Sequence, residues 1–147
     1  MTDTPRVVIA QAHTSDYQAL ASLTCPTVRR YAEKHSYAYF YHPAWEERFP
    51  ADGDRCKIRI YEELYETNAF DVFVWIDSDA MITNSDVSID GLLSRFMHLG
   101  YLTEDDHFVW GYDASCENTG VYIARMTPQA HAFLHASFCR GVEMGWG

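Results

Sequence analysis

Apolar and polar positions alternate along this chain in two distinct rhythms. "RVVIAQA" (6–12) is β-branched and apolar and stops at "HTSD", a group of capping and turn residues, so it predicts a first strand. Tyr17, Leu20, Leu23, Val28, Tyr31 and Ala32 then recur near helical spacing. Pro26 inside that run is expected to kink or divide the helix. "YAYFYH" (37–42) predicts a second strand and "PAWEERFPADGD" (43–54) a loop. Asp54 is placed to cap a helix in which Ile58, Tyr61, Leu64 and Tyr65 share a face. "FDVFVWI" (70–76) shows no alternation, the pattern of a strand buried on both faces. "SIDGLLSRFM" (88–97) predicts a short helix; "FVWGYD" (108–113) and "TGVYIAR" (119–125) predict two more strands. The closing helix, "TPQAHAFLHASFCRGV", has Thr127 as N-cap and Pro128 at its first position. Its expected apolar stripe is Ala130, Phe133, Leu134 and Phe138.

Strands alternating with helices predict an α/β layered domain with a mostly parallel sheet. At 147 residues the economical expectation is a single domain spanning 1–147. A net charge of −10 argues against a nucleic-acid partner, because phosphate backbones are held by excess Lys and Arg. It leaves room for a phosphorylated small molecule if a divalent cation mediates. The cysteines, Cys25, Cys56, Cys116 and Cys139, lie far apart with no metal-knuckle or redox spacing, so they read as reduced thiols. No run reads as a signal peptide or a membrane span, and the expected location is cytoplasmic.

The chemistry concentrates in "FVWIDSDAMITN" (73–84), where a hydrophobic strand runs straight into two aspartates. In open α/β sheets, ligands sit beyond the carboxyl ends of the strands. On an extended backbone Asp77 and Asp79 would point the same way, and two bare carboxylates facing one spot would repel. A divalent cation removes that repulsion, and hard carboxylate oxygens suit Mg²⁺ or Mn²⁺. Two carboxylates do not complete an octahedron; a substrate diphosphate is a natural source of the remaining oxygens. The plainer alternative is a pair of solvated aspartates capping a turn. Among enzymes, phosphohydrolases of the haloacid-dehalogenase type place such a pair on the first strand before Gly-Thr, whereas here it lies mid-chain before Ala-Met.

"VFVWIDSDAMITNSDVSIDGLL" resembles the core of the fungal galactosyl/mannosyltransferase and plant xylosyltransferase family, with its W-(I/L)-D-S-D-A-x-(I/F)-x-N run. "ENTGVYIARMTPQAHAFL" resembles the same family's later Asn-x-Gly strand and helix, an arrangement similar in glycogenin-like transferases. "YAEKHSYAYFY" resembles its Y-A-x-x-H-x-Y segment. These matches run in order over residues 6 to 138. They imply a GT-A-like, Rossmann-like three-layer fold, and transfer of a sugar from a nucleoside diphosphate sugar, UDP first, to a glycan or other hydroxyl acceptor.

The resemblance also implies roles. Asp79 would ligate Mn²⁺ or Mg²⁺, Asp77 would touch the metal or the donor ribose, and Ser78 would add main-chain contacts. Ala12 and Thr14 would line the nucleobase, with Tyr17 stacked on it. Lys57, and less directly Arg55, would approach the donor's sugar or phosphate; Asn118 and Gly120 would sit under the sugar. An inverting enzyme needs a carboxylate base, for which Asp113 is the first candidate and Glu117 the second. A retaining one could use the departing phosphate. Such enzymes usually take a third metal ligand from sequence beyond the Asn-Thr-Gly strand, where this chain stops. The expectation is therefore a minimal or truncated domain, either active or a donor-binding module without turnover. His131 and His135 are expected on the face of the closing helix, away from the metal.

Overall fold

The computed structural model describes residues 4–48, 55–112, 114 and 117–143. Five strands form one sheet: β1 (Val7–Ala12), β2 (Ala38–His42), β3 (Val72–Ile76), β4 (Phe108–Tyr112) and β5 (Glu117–Arg125), in the order β2-β1-β3-β5-β4. Among the described residues a short 3-10 helix (Ser15–Tyr17) and five α-helices accompany them: α1 (Gln18–Lys34), α2 (Trp45–Arg48), α3 (Cys56–Glu66), α4 (Ile89–His98) and α5 (Pro128–Glu143).

The sheet is mixed, which corrects the expectation of a mostly parallel one. β1 pairs in parallel with β2 and β3, but β5 is antiparallel to both β3 and β4. The cause is local. Only residues 113–116 separate β4 from β5, and a link that short permits a hairpin but no crossover.

β3 divides its side chains between two cores, as its unbroken hydrophobic run requires. Phe73 and Trp75 join one cluster with Tyr61 and Leu64 of α3 and Ala130 and Leu134 of α5. Val72, Val74 and Ile76 join another with Val28, Tyr31 and Ala32 of α1 and Ile89 of α4. Both faces of the sheet are therefore covered by helices.

Three local expectations change. Pro26 sits inside an unbroken α1. Proline removes one backbone donor there, yet the buried side chains around it, from Ala21 and Cys25 to Val28 and Ala32, keep both halves on the sheet. The buried stripe of α1 is Ala21, Thr24, Cys25, Val28, Tyr31 and Ala32, while Tyr17, Leu20 and Leu23 face outward. Small residues win at that end because α1 approaches the β3 terminus closely enough for the Thr24 hydroxyl to bond Ser78 O. The segment expected to be all loop holds α2, whose Trp45 is buried. The proposed Asp54 cap lies outside the described residues.

The helix start expected at Thr127 is present, and Ser88 supplies a second cap that was not named from sequence. The Ser88 hydroxyl accepts from Gly91 N at 3.1 Å, and that of Thr127 accepts from Ala130 N at 3.3 Å. On α5 the buried positions are Ala130, Leu134 and Phe138; Phe133 is half exposed and leans on Phe108, with ring centroids 5.2 Å apart.

Candidate functional site

A cavity of about 860 Å³ opens at the carboxyl ends of β1 and β3. Ala12, Thr14, Tyr17, Arg55, Lys57, Asp77, Ser78 and Asp79 all line it. The chain brings these residues together from three separate segments.

The acidic pair does reach one space, though not by extended alternation. Ala80 N donates to Asp77 O at 3.0 Å, so residues 77–80 form a turn. That turn is gripped from the α1 side. Gln11, fully buried, donates from Nε2 to Asp77 O at 3.3 Å and accepts from the Tyr39 hydroxyl at 2.8 Å. Thr24 bonds Ser78 O, and Thr27 Oγ1 accepts from Ile82 N at 3.1 Å. With its backbone held from behind, the turn shows its carboxylates to the cavity.

The two carboxylates differ. Asp77 is held by its neighbours: Trp75 Nε1 donates to Oδ1 at 2.5 Å, and Lys57 Nζ stands 3.9 Å from the same oxygen. Asp79 is exposed. Lys57 also donates to Thr119 O and Oγ1, both at 3.3 Å, and lies 5.9 Å from the centroid of the Trp75 ring. Its ammonium is thus fixed beside the acidic turn. Arg55 stacks on Phe138 with its guanidinium 5.5 Å from the ring centroid, against the α5 wall.

Asn118 and Gly120 do not line the cavity but brace it. Trp110 faces Tyr122 across the β4–β5 pair, yet Gly111 faces Asn118, so residues 119–121 bulge out of register. In that bulge Gly120 N donates to Asn118 Oδ1 at 2.8 Å, and Asp77 N donates to Gly120 O at 2.7 Å. A Cβ on Gly120 would stand 2.9 Å from Asp77 Oδ2 and 3.0 Å from Asn118 Oδ1. Glycine is needed there for the acidic turn's own packing.

Asp113 lies outside the described residues. Glu117 opens β5 opposite Tyr112, and its side chain lies outside them too. His131 and His135 pack on α3: His131 stacks on Tyr65 at 4.3 Å, and His135 Nδ1 is 2.7 Å from Glu62 Oε1.

Several lining residues were not nominated from sequence. His13 is buried, with Nδ1 2.8 Å from Thr14 O and Nε2 2.6 Å from the Tyr41 hydroxyl. A carbonyl only accepts, so Nδ1 carries a proton. The aromatic wall of Trp45, Trp75, Phe108, Trp110, Tyr122 and Phe133 was not nominated as part of the site. Gln11 carried a usable signal, being the one polar residue in "VVIAQA".

Asp77 and Asp79 are the residues able to hold a cation here. Among the described residues no three His, Cys, Asp or Glu side chains converge as a metal cluster. Two carboxylates leave most of an octahedral shell to water or to a ligand's oxygens. No described helix is long and apolar enough to cross a membrane.

No family model matches the chain, and no curated protein matches its sequence. Solved structures do match its shape. One is a glycosyltransferase involved in the glycosylation of the major capsid of PBCV-1, with a TM-score of 0.65 at 17% identity. The match covers 93% of this chain and 66% of that one. The fold is glycosyltransferase-like. A second match, A197 from STIV, has a TM-score of 0.52 at 12% identity and covers 88% of this chain and 67% of that one. This chain therefore spans about two thirds of each of these two structures.

Proposed function

We propose that the chain is a metal-dependent glycosyltransferase of GT-A-like architecture. It moves a sugar from a nucleoside diphosphate sugar, with UDP the first choice of nucleotide, to an acceptor hydroxyl. The observation that carries this reading is the convergence on one cavity of the nucleobase, metal and phosphate residues nominated from sequence. The glycosyltransferase-like fold supports it.

In this reading Ala12, Thr14 and Tyr17 bind the nucleoside, Asp79 with Asp77 holds Mn²⁺ or Mg²⁺, and Lys57 faces the diphosphate. When bound, the cation supplies charge neutralisation on the leaving diphosphate. The chain's own part is orientation: the braced turn fixes both carboxylates, and the anchored Lys57 adds positive charge in an otherwise acidic protein. Asp113 and Glu117 remain the candidates for a base in an inverting mechanism. A phosphohydrolase reading is less favoured, because the pair lies mid-chain before Ala80 and Met81 and not on the first strand before Gly-Thr.

A thermal-shift panel of nucleotide sugars with and without Mn²⁺ tests the proposal. The expected outcome is stabilisation by one donor that requires the metal. No metal-linked stabilisation by any nucleotide sugar would defeat it. Binding without turnover would leave a donor-binding module, and phosphate release from a simple phosphomonoester would favour the hydrolase.

A further inference from the structure

The floor of the cavity is a row of aromatic side chains laid across the sheet. Trp75 of β3 stands directly opposite Tyr122 of β5, and Tyr122 directly opposite Trp110 of β4. Opposed residues share a sheet face, and all three line the cavity. The row starts beside the acidic turn, where Trp75 Nε1 is committed to Asp77, and ends at the sheet edge. There Trp110 is 43% exposed and Phe133, leaning on Phe108, is 52% exposed. Its inner end is filled core and its outer end is open.

Midway along the row lies an anomaly. Tyr122 is 4% exposed, and among the described residues its hydroxyl has no hydrogen-bond partner. Burial pushes its ionisation well above the usual tyrosine range, so the group remains a hydroxyl able to donate. Buried polar atoms in native proteins are nearly always paired, and a persistent exception calls for a specific reason. A polar group set in an aromatic floor is the usual composition of a small-molecule site, where flat apolar surface supplies contact and a few polar atoms supply orientation.

We propose that the Trp75–Tyr122–Trp110 row is a pyranose-binding floor, with a sugar ring lying on the open aromatic end and the Tyr122 hydroxyl, enclosed in this structure, bonding a sugar oxygen once the side chains over it shift. A pyranose fits because it offers both an apolar C–H face and ring hydroxyls. Purely apolar ligands would leave the hydroxyl unpaired. The inference rests on the glycosyltransferase reading and adds to it the place of the sugar. That sugar belongs either to the donor or to the acceptor, and the two are separable.

The test is calorimetry on the full chain in Mn²⁺, comparing UDP, UDP-glucose and UDP-galactose, then methyl glucoside, galactoside and mannoside added with UDP present. The variants are Tyr122→Phe and Trp110→Ala. For Tyr122→Phe, affinity for the sugar-bearing ligand is expected to fall about 5- to 10-fold, the scale of one hydrogen bond, with UDP affinity unchanged. Loss confined to the UDP-sugars identifies the donor's ring; loss confined to the methyl glycosides identifies the acceptor's. The melting temperature of Tyr122→Phe should hold or rise, since the change removes an unpaired buried hydroxyl. A clear fall in melting temperature would mean that the hydroxyl is structurally bonded and would overturn the proposal. UDP binding with sugar affinity unchanged in both variants would overturn it alone. No binding of any nucleotide by the unaltered chain would overturn both this inference and the function on which it rests.

Discussion

The two faces of the sheet differ in how completely their tyrosine hydroxyls are bonded. On the α1 and α4 face the hydroxyls are all engaged: Tyr31 donates to Val87 O at 2.8 Å, Tyr37 to Asp90, and Tyr39 to Gln11 Oε1 at 2.8 Å. On the cavity face Tyr61 donates to Arg125 O at 3.1 Å, but Tyr122 has no partner among the described residues. The first face is finished by the chain alone, and its polar atoms hold the backbone of the acidic turn. The second face is left with carboxylates, an anchored ammonium and an aromatic floor turned toward open space. What separates them is the division of labour within one β-strand end: one side fixes the main chain, the other presents side chains.

That contrast can be broken most sharply at the acidic turn. Asp79→Ala should reduce metal-linked nucleotide-sugar affinity by at least about 100-fold, beyond the usual cost of losing an indirect metal contact. Because Asp79 is exposed, unfolding free energy should change by no more than about 0.5 kcal/mol. Calorimetry and urea denaturation on the same protein check both halves, and a parallel loss of stability would show that the residue serves the fold.

Gly120→Ala should have the next largest effect. The added methyl would press on Asp77 Oδ2 and Asn118 Oδ1, displacing a carboxylate already held by Trp75. An about 10-fold loss of donor affinity or turnover is expected, on the scale of a sub-ångström to one-ångström misplacement. Unaltered binding would mean that the Asp77 position is not needed.

A smaller effect belongs to the closed face. Tyr39→Phe leaves Gln11 Oε1 without its donor in a fully buried position, at a cost of about 1 kcal/mol in urea unfolding. Tyr122→Phe, the same chemical change on the other face, should cost nothing. Equal costs at the two sites would erase the distinction drawn between the faces.

The smallest expected effect is a pH dependence. The Tyr37 hydroxyl bonded to Asp90 holds that carboxyl below its ordinary 3.8. A depressed folded-state value means stability that is present above 3.8 and lost as pH falls through the lowered value. Urea midpoints taken from about pH 6 down to about pH 3 should therefore decline less steeply in Asp90→Asn than in the unaltered chain. Identical slopes would remove this pair from the account of the closed face.

Much of the fold was legible because its signals are local. β3 announced itself by an unbroken apolar run, since burial on two faces leaves no position for a polar residue. Thr127 marked a helix start because a cap bonds within its own turn. Asp77 and Asp79 were legible for a related reason, as charges at the end of such a strand need an explanation close by. Pairing direction was not legible in the same way: β5 reverses because of the brevity of the 113–116 link and its place between β3 and β4.

By itself the sequence determined most of the strands and helices and where the acidic pair falls, because these depend on periodicity, capping and chemical type within a few residues. Only the tertiary structure decided that Lys57 stands beside Asp77, that Gly120 is excluded from bearing a side chain, and that three aromatics form one floor. Those facts arise from strands far apart in the chain meeting in register, and the sequence carries no local energy term that sets that register in advance.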